Sequence, residues 1–152
     1  MPRHVQVLSQ PTAAEVEIRR RIDTLLNAIR AMDLEGVMPI YAPDIVSFDV
    51  EPPLQHVGAA AKRRNWAKVF AAYQPPLDYE VRDLAITAGD DVAFGRGLAR
   101  LSGTLKNGIT SAYWVRWTSC FRKIDGAWLI VHDQVSTPLD IETGRALLNL
   151  EP

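Results

Sequence analysis

Asp133 stands inside Trp128-Leu129-Ile130-Val131-His132-Asp133-Gln134-Val135-Ser136, a run of strand-forming residues that Pro138 brings to an end. Alternation with period two puts Asp133 on one face with Leu129, Val131 and Val135. His132 falls on the other face with Trp128, Ile130 and Gln134. A carboxylate among apolar neighbours on a buried face must be satisfied by a partner or serve a function, and the function open to it is general acid/base chemistry. The strand expected over residues 109–124 carries a second set. Tyr113, Val115, Trp117, Ser119 and Phe121 form its more apolar face and are expected to line a pocket. Trp114, Arg116, Thr118, Cys120 and Arg122 form the opposite one.

Other chemistries find little in the residues. His4, His56 and His132 are far apart, and no H-x-H or C-x-x-C spacing offers a metal site. Cys120 lies mid-strand with no base beside it in sequence, so it is expected to be a structural thiol. No G-x-S-x-G elbow, phosphate loop or dinucleotide fingerprint occurs. Gly95-Arg96-Gly97 lies within a strand and marks a bulge or bend. Lys62-Arg63-Arg64 beside Trp66 is a weak case for nucleic acid in a chain of net charge −1. No cofactor is expected, and no membrane or nucleic-acid partner.

The elements that must hold these residues follow from periodicity. Thr12-Ala13-Ala14-Glu15 is a capping box that starts a helix, with Ile18, Ile22, Leu25, Leu26 and Ile29 as its apolar stripe. Asp33 is expected to cap a short helix running to Tyr41, and residues 45–50 to form a short strand. Gly58 precedes a third helix over 59–73, with Trp66, Val69, Phe70 and Tyr73 on one face and Lys62, Arg63 and Lys68 largely off it. From Leu77 the period becomes two, with a turn at Gly89-Asp90-Asp91. Asn107-Gly108 and Asp125-Gly126 are strong hairpin signals. Strands are expected over 92–105, 109–124 and 127–136, and one helical turn around 145–148. Helices first and hairpins afterwards make an α+β fold: a curved antiparallel sheet with three N-terminal helices, enclosing a cone-shaped pocket in the manner of a cystatin-like roll.

With 152 residues, 47% of them apolar, the chain can bury the core of one domain. Residues 1–11 read as a tail, 12–140 as the domain and 141–152 as a second tail. A single cysteine allows no internal disulfide, and the first residues lack the apolar run of a signal peptide. A cytoplasmic protein is expected.

Four stretches carry a resemblance. Tyr41-Ala42-Pro43-Asp44-Ile45-Val46-Ser47-Phe48-Asp49 resembles the ketosteroid isomerase segment in which YA-x-D leads to a strand ending in the catalytic aspartate. Residues 128–138 resemble the closing strand of SnoaL-like proteins, often W-x-I-V-H-[DE]-H-x-S-x-P; Val115-Arg116-Trp117-Thr118 and Arg122-Lys123-Ile124-Asp125-Gly126 fit the same group. The resemblance spans about residues 12–140 and implies the fold shared with nuclear transport factor 2. It implies Asp49 as a general base, against which stands a strand-end carboxylate facing solvent. It implies an acid/base role for Asp133. The isomerase's oxyanion donors fall on Leu25, which cannot donate, and about Ser119, so steroid isomerase activity is not expected. Gln134 replaces the second histidine of the relatives. The implied function is a small-molecule-binding cone, an isomerase, cyclase or hydratase acting through Asp49 or Asp133 on a small apolar or carbonyl-containing ligand. Trp66, Tyr113, Trp117, Ser119 and Val135 would line the pocket. The alternative is a non-catalytic ligand-binding or dimerisation domain. Arg116 and His132 would belong to a homodimer interface on the outer sheet face, or else to the pocket.

Overall fold

The computed structural model describes residues 9–152. His4 and most of the expected N-terminal tail, 1–11, lie outside the described residues. Helix α1 (Ala13–Arg30) begins at the capping box: the Thr12 hydroxyl accepts from the Glu15 amide at 3.2 Å, and the Glu15 carboxylate accepts from the Thr12 amide. Its apolar stripe is buried, Ile18 and Ile22 completely. Asp33 caps α2 (Leu34–Val37), shorter than expected because Pro39 turns the chain into a single 3₁₀ turn, Met38–Ile40.

The chain then extends as β1 (Tyr41–Phe48), which begins four residues before the expected strand. A two-residue strand, β2 (His56–Val57), pairs antiparallel with it and is too short to be seen in sequence. Helix α3 (Ala59–Ala72) leads directly into β3 (Tyr73–Ala88), and β4 (Val92–Leu105), β5 (Thr110–Ile124) and β6 (Ala127–Ser136) complete an antiparallel meander. The six strands form one curved sheet in the order β2-β1-β6-β5-β4-β3, with β1 parallel to β6. Hairpin turns fall where the Asn-Gly and Asp-Gly pairs stand; Asp125 and Gly126 both take positive φ, as a two-residue hairpin loop requires. The bend anticipated at Gly95-Arg96-Gly97 belongs to the neighbouring strand. The β3–β4 register breaks between Arg82 and Ala85, where Asp83 takes positive φ. Gly97 admits that backbone, since a Cβ there would stand 3.2 Å from the Arg82 carbonyl.

Three expectations are corrected. Residues 145–148 make no helical turn; a bridge between Leu139 and Ala146 folds the segment back on itself. Trp128 and Ile130 are not on the outer face but in the core, 1% and 0% exposed. A bulge causes this: Cys120 pairs with His132 and Phe121 with Ile130, so Val131 is an extra residue that reverses the parity of β6. Lys62, placed off the apolar face of α3, is 2% exposed and points into the fold.

Candidate active site between sheet and helices

Between the concave sheet face and the helices lies a cavity of about 210 Å³. Leu25, Leu26 and Ile29 of α1 close one side. Six aromatic side chains, Tyr41, Trp66, Tyr73, Tyr79, Tyr113 and Trp117, line much of the rest. The walls are therefore largely apolar, and Lys62 gathers with the carboxylates of Asp49 and Asp133 on one side.

That side is built where β1, β6 and α3 meet. The parallel β1–β6 register sets Ser47 beside Asp133, and the Ser47 hydroxyl donates to Asp133 Oδ1. From α3, Lys62 reaches both: its Nζ lies 2.9 Å from Asp133 Oδ2 and 3.0 Å from Ser47 Oγ. Asp49, the first residue after β1, comes to 3.5 Å of the same nitrogen through Oδ2, while its Oδ1 accepts from the Val50 amide at 2.8 Å. Ser47, Lys62 and Asp133 are buried, whereas the Asp49 side chain keeps 15% of its surface. Lys62, Asp49 and Asp133 all line the cavity.

Burial works against the Lys62 charge, but the oxygens of Tyr41, Asp133 and Asp49 outweigh it and hold the ammonium above its ordinary range. Tyr41 packs under that ammonium, its ring centre 5.3 Å from Nζ, and its hydroxyl accepts from Trp66 Nε1 at 3.0 Å. Burial raises the Tyr41 phenol to about 12, the nearby Lys62 charge pulling the other way. Burial likewise raises Tyr113 to about 12 and moves Tyr79 upward. All three phenols are therefore protonated donors at neutral pH. At the mouth, Lys68 of α3 pairs with Glu51 at 2.6 Å.

The structure thus brings Asp49 and Asp133 into one cavity, with Trp66, Tyr113, Trp117 and Val135 on its walls. Ser119 is 1% exposed and pairs across the sheet with Asp133, but it lies beneath the cavity wall and its hydroxyl has no partner. His132 and Arg116 are outside the cavity. His132 Nδ1 meets the Val46 carbonyl at 2.6 Å and its ring packs edge-on to Phe48; Arg116 is exposed and donates to Ser136. Sequence reasoning missed Lys62, Tyr41 and Ser47. A signal for Lys62 existed: it precedes Trp66 by four residues and Val69 by seven, so it continues their stripe. Among the described residues no three His, Cys, Asp or Glu side chains gather as a metal site would need, and no helix is long and apolar enough to cross a membrane.

Residues 18–140 match the family model described as the SnoaL-like domain. No curated protein matches the chain. Among solved structures, an NTF2-like protein of unknown function from Pseudomonas putida KT2440 is 33% identical, with a TM-score of 0.86 over 95% of this chain and 100% of the other. A ketosteroid isomerase-like protein from Erwinia carotovora atroseptica is 21% identical, with a TM-score of 0.71 over 83% of this chain and 97% of the other. A protein assigned provisionally as a scytalone dehydratase, from Novosphingobium aromaticivorans, is 12% identical, with a TM-score of 0.72 over 82% of this chain and 83% of the other. At these identities the last two share the fold alone. With more than half its length covered by the family model, its sheet and helices assembled as in these neighbours, the chain belongs to the SnoaL-like family.

Proposed function

We propose that this protein is a small-molecule-binding cone domain that acts, without a cofactor, as an isomerase, cyclase or hydratase on an apolar ligand bearing a carbonyl group. The observation that supports the reading is the convergence of Asp49, Asp133 and Lys62 on one wall of an aromatic-lined cavity. An ionisable cluster in a mostly apolar pocket is the arrangement that acid/base catalysis needs. Two structural neighbours, the ketosteroid isomerase-like protein and the one assigned provisionally as a scytalone dehydratase, carry names of the same reaction classes.

Of the two candidate carboxylates, Asp49 suits the base. Asp133 has one oxygen on Ser47 and the other on Lys62, and 3% of its side chain is exposed. Asp49 sits at the cavity edge with a longer contact. Removing a proton from carbon next to a carbonyl and returning it elsewhere requires a carboxylate that can reach ligand.

The test is deuterium exchange into the carbon next to the carbonyl of 2-tetralone, followed by proton NMR in deuterium oxide. The protein is expected to accelerate exchange, and Asp49→Asn to slow it by roughly 10² to 10⁴. Binding of the ketone without exchange favours the second reading, a ligand-binding domain without turnover. The pairing of Lys62 with carboxylates of the chain itself favours that reading.

The outer sheet face is proposed as a homodimer surface. Without Trp128 it still presents Phe94, 50% exposed, and a half-buried Trp114 with the Arg82 guanidinium 5.9 Å from its ring. Sedimentation of wild type and Phe94→Glu tests this; a wild-type monomer at micromolar concentration would rule it out.

A further inference from the structure

The two carboxylates hold Lys62 unequally. An ammonium has three N–H donors and no acceptor. One is matched to Asp133 at 2.9 Å and one to Ser47 at 3.0 Å, and both of those oxygens belong to buried strand residues that also bond each other. The third is left with Asp49 at 3.5 Å, a contact well beyond the usual charge-assisted distance. Asp49 lies on the loop beyond β1, retains exposure, and has its other oxygen on a neighbouring amide. Two fixed bonds aim the nitrogen, and the third is exchangeable.

We infer that Lys62 is the electrophilic anchor of the cavity, giving up Asp49 to hold the oxygen of a bound carbonyl compound. The inference rests on the proposed acid/base reading and names the ligand's polar end: a carbonyl or an anionic oxygen, not a donor group. In the step itself Asp49 takes the proton from the carbon next to the carbonyl. The C–H electron pair becomes a carbon–carbon double bond, and the carbonyl π pair moves to oxygen as an enolate that Lys62 holds. Asp49 then returns the proton to carbon, with no net oxidation. Lys62 supplies the donor that Leu25 cannot, and Asp133 with Ser47 are positioning residues acting through it. Because the ammonium stays charged, Lys62 forms no imine with the ketone.

The probe is 2-naphthol, whose ionised form mimics the enolate and is read by its absorbance. At about pH 7.5 the free compound is almost wholly protonated, since a phenol ionises near pH 10. Asp49→Asn keeps Lys62, Asp133 and Ser47 together. It is expected to bind the naphtholate about tenfold more tightly than wild type, as removing a like charge a few ångström away should. Glu51→Gln, which removes another carboxylate lining the cavity, is expected to change it less than about twofold. Asp133→Asn also removes a like charge but loosens the nitrogen that Asp133 aims, so it is expected to show no such gain. Equal gains in Asp49→Asn and Glu51→Gln would reduce the effect to the general field and overturn the anchor. So would naphthol bound only in its protonated form, or no binding to Asp49→Asn at millimolar probe. A ketone adduct on Lys62 after borohydride treatment would overturn it as well. If naphtholate binding behaves as expected while 2-tetralone exchange fails, the anchor stands and turnover falls. If exchange proceeds and naphtholate is ignored, the base stands and the anchor falls.

Discussion

Lys62 Nζ and Asp133 Oδ2 lie 2.9 Å apart, with 2% and 3% of their side chains exposed, so neither charge has solvent to fall back on. A buried pair of this kind is poor evidence for net stability, because desolvation offsets much of the attraction. Removing one partner is a different matter. Lys62→Met strands Asp133 and is expected to cost about 3–5 kcal/mol, a large share of what holds a domain this size together. Lys62→Met combined with Asp133→Leu should lose less than the sum of the two. Urea denaturation of the four proteins in the cycle measures this. Additive losses would mean that the pair is not coupled.

High pH should unfold the protein through the same corner of the molecule. Burial raises Tyr41 from 10.0 to about 12 on folding, and Lys62 is also held above its ordinary 10.5. A group whose pKa is raised on folding contributes stability that is complete below its unfolded value. That contribution is lost as pH climbs toward the folded one. Between about pH 10 and 12 the native state therefore keeps protons that the unfolded chain has released, and stability falls with pH by about 1.4 kcal/mol per unit for each such group. Guanidinium midpoints at about pH 9, 10 and 11 should drop accordingly. Tyr41→Phe should give a shallower fall, and an unchanged slope in that variant would remove Tyr41 from the account.

Glu51 and Lys68 close the mouth of the cavity with an exposed ion pair, their side chains 41% and 64% accessible. Lys68 also borders a second groove of about 460 Å³, lined by Pro52, Pro53, His56 and Arg64 among others. Such a pair is worth little to folding, and Lys68→Met should change stability by less than about 1 kcal/mol. Its position makes it matter for access instead. Stopped-flow binding of 2-naphthol should become faster in Lys68→Met and less dependent on salt, since the pair that must part is gone. An unchanged association rate would show that ligand enters elsewhere.

The parts of this architecture that could be read from sequence are those that local chemistry decides. The capping box at Thr12, the turns at Asn107-Gly108 and Asp125-Gly126, and the inward face of β5 each follow from a few neighbouring residues. Asp133 reads as inward-facing from its alternation with Leu129, Val131 and Val135; the bulge leaves only Val135 of that set lining the cavity with it. Lys62 was hidden because a lysine one turn before Trp66 looks like a solvated charge until a carboxylate from β6 and another from the loop after β1 arrive beside it. Tyr41 was hidden because the strand starts at it, immediately after a 3₁₀ turn, and not at Ile45. The candidate site is mostly a product of pairing between β1 and β6, whose residues are separated by the rest of the fold. No local pattern encodes that register.

The bulge at Val131 joins these two halves and can be tested directly. Trp128-Leu129-Ile130-Val131 is apolar throughout, so its alternation carries no parity of its own. The register carries it: Phe121 faces Ile130, Cys120 faces His132, and the extra Val131 lets Trp128 and Ile130 point inward together with Asp133 and Val135. Deleting Val131 removes the extra residue and restores an unbroken two-residue period in which Trp128 and Ile130 still point inward with Asp133 and Val135, because Phe121–Ile130, Cys120–His132 and Ser119–Asp133 then follow one another without a break. The deletion variant is therefore expected to keep a cooperative thermal transition by circular dichroism, as is Val131→Ala, which keeps the extra residue and should lower the midpoint by a few degrees. A deletion variant that loses cooperative folding would mean that the parity of β6 is not set by this bulge.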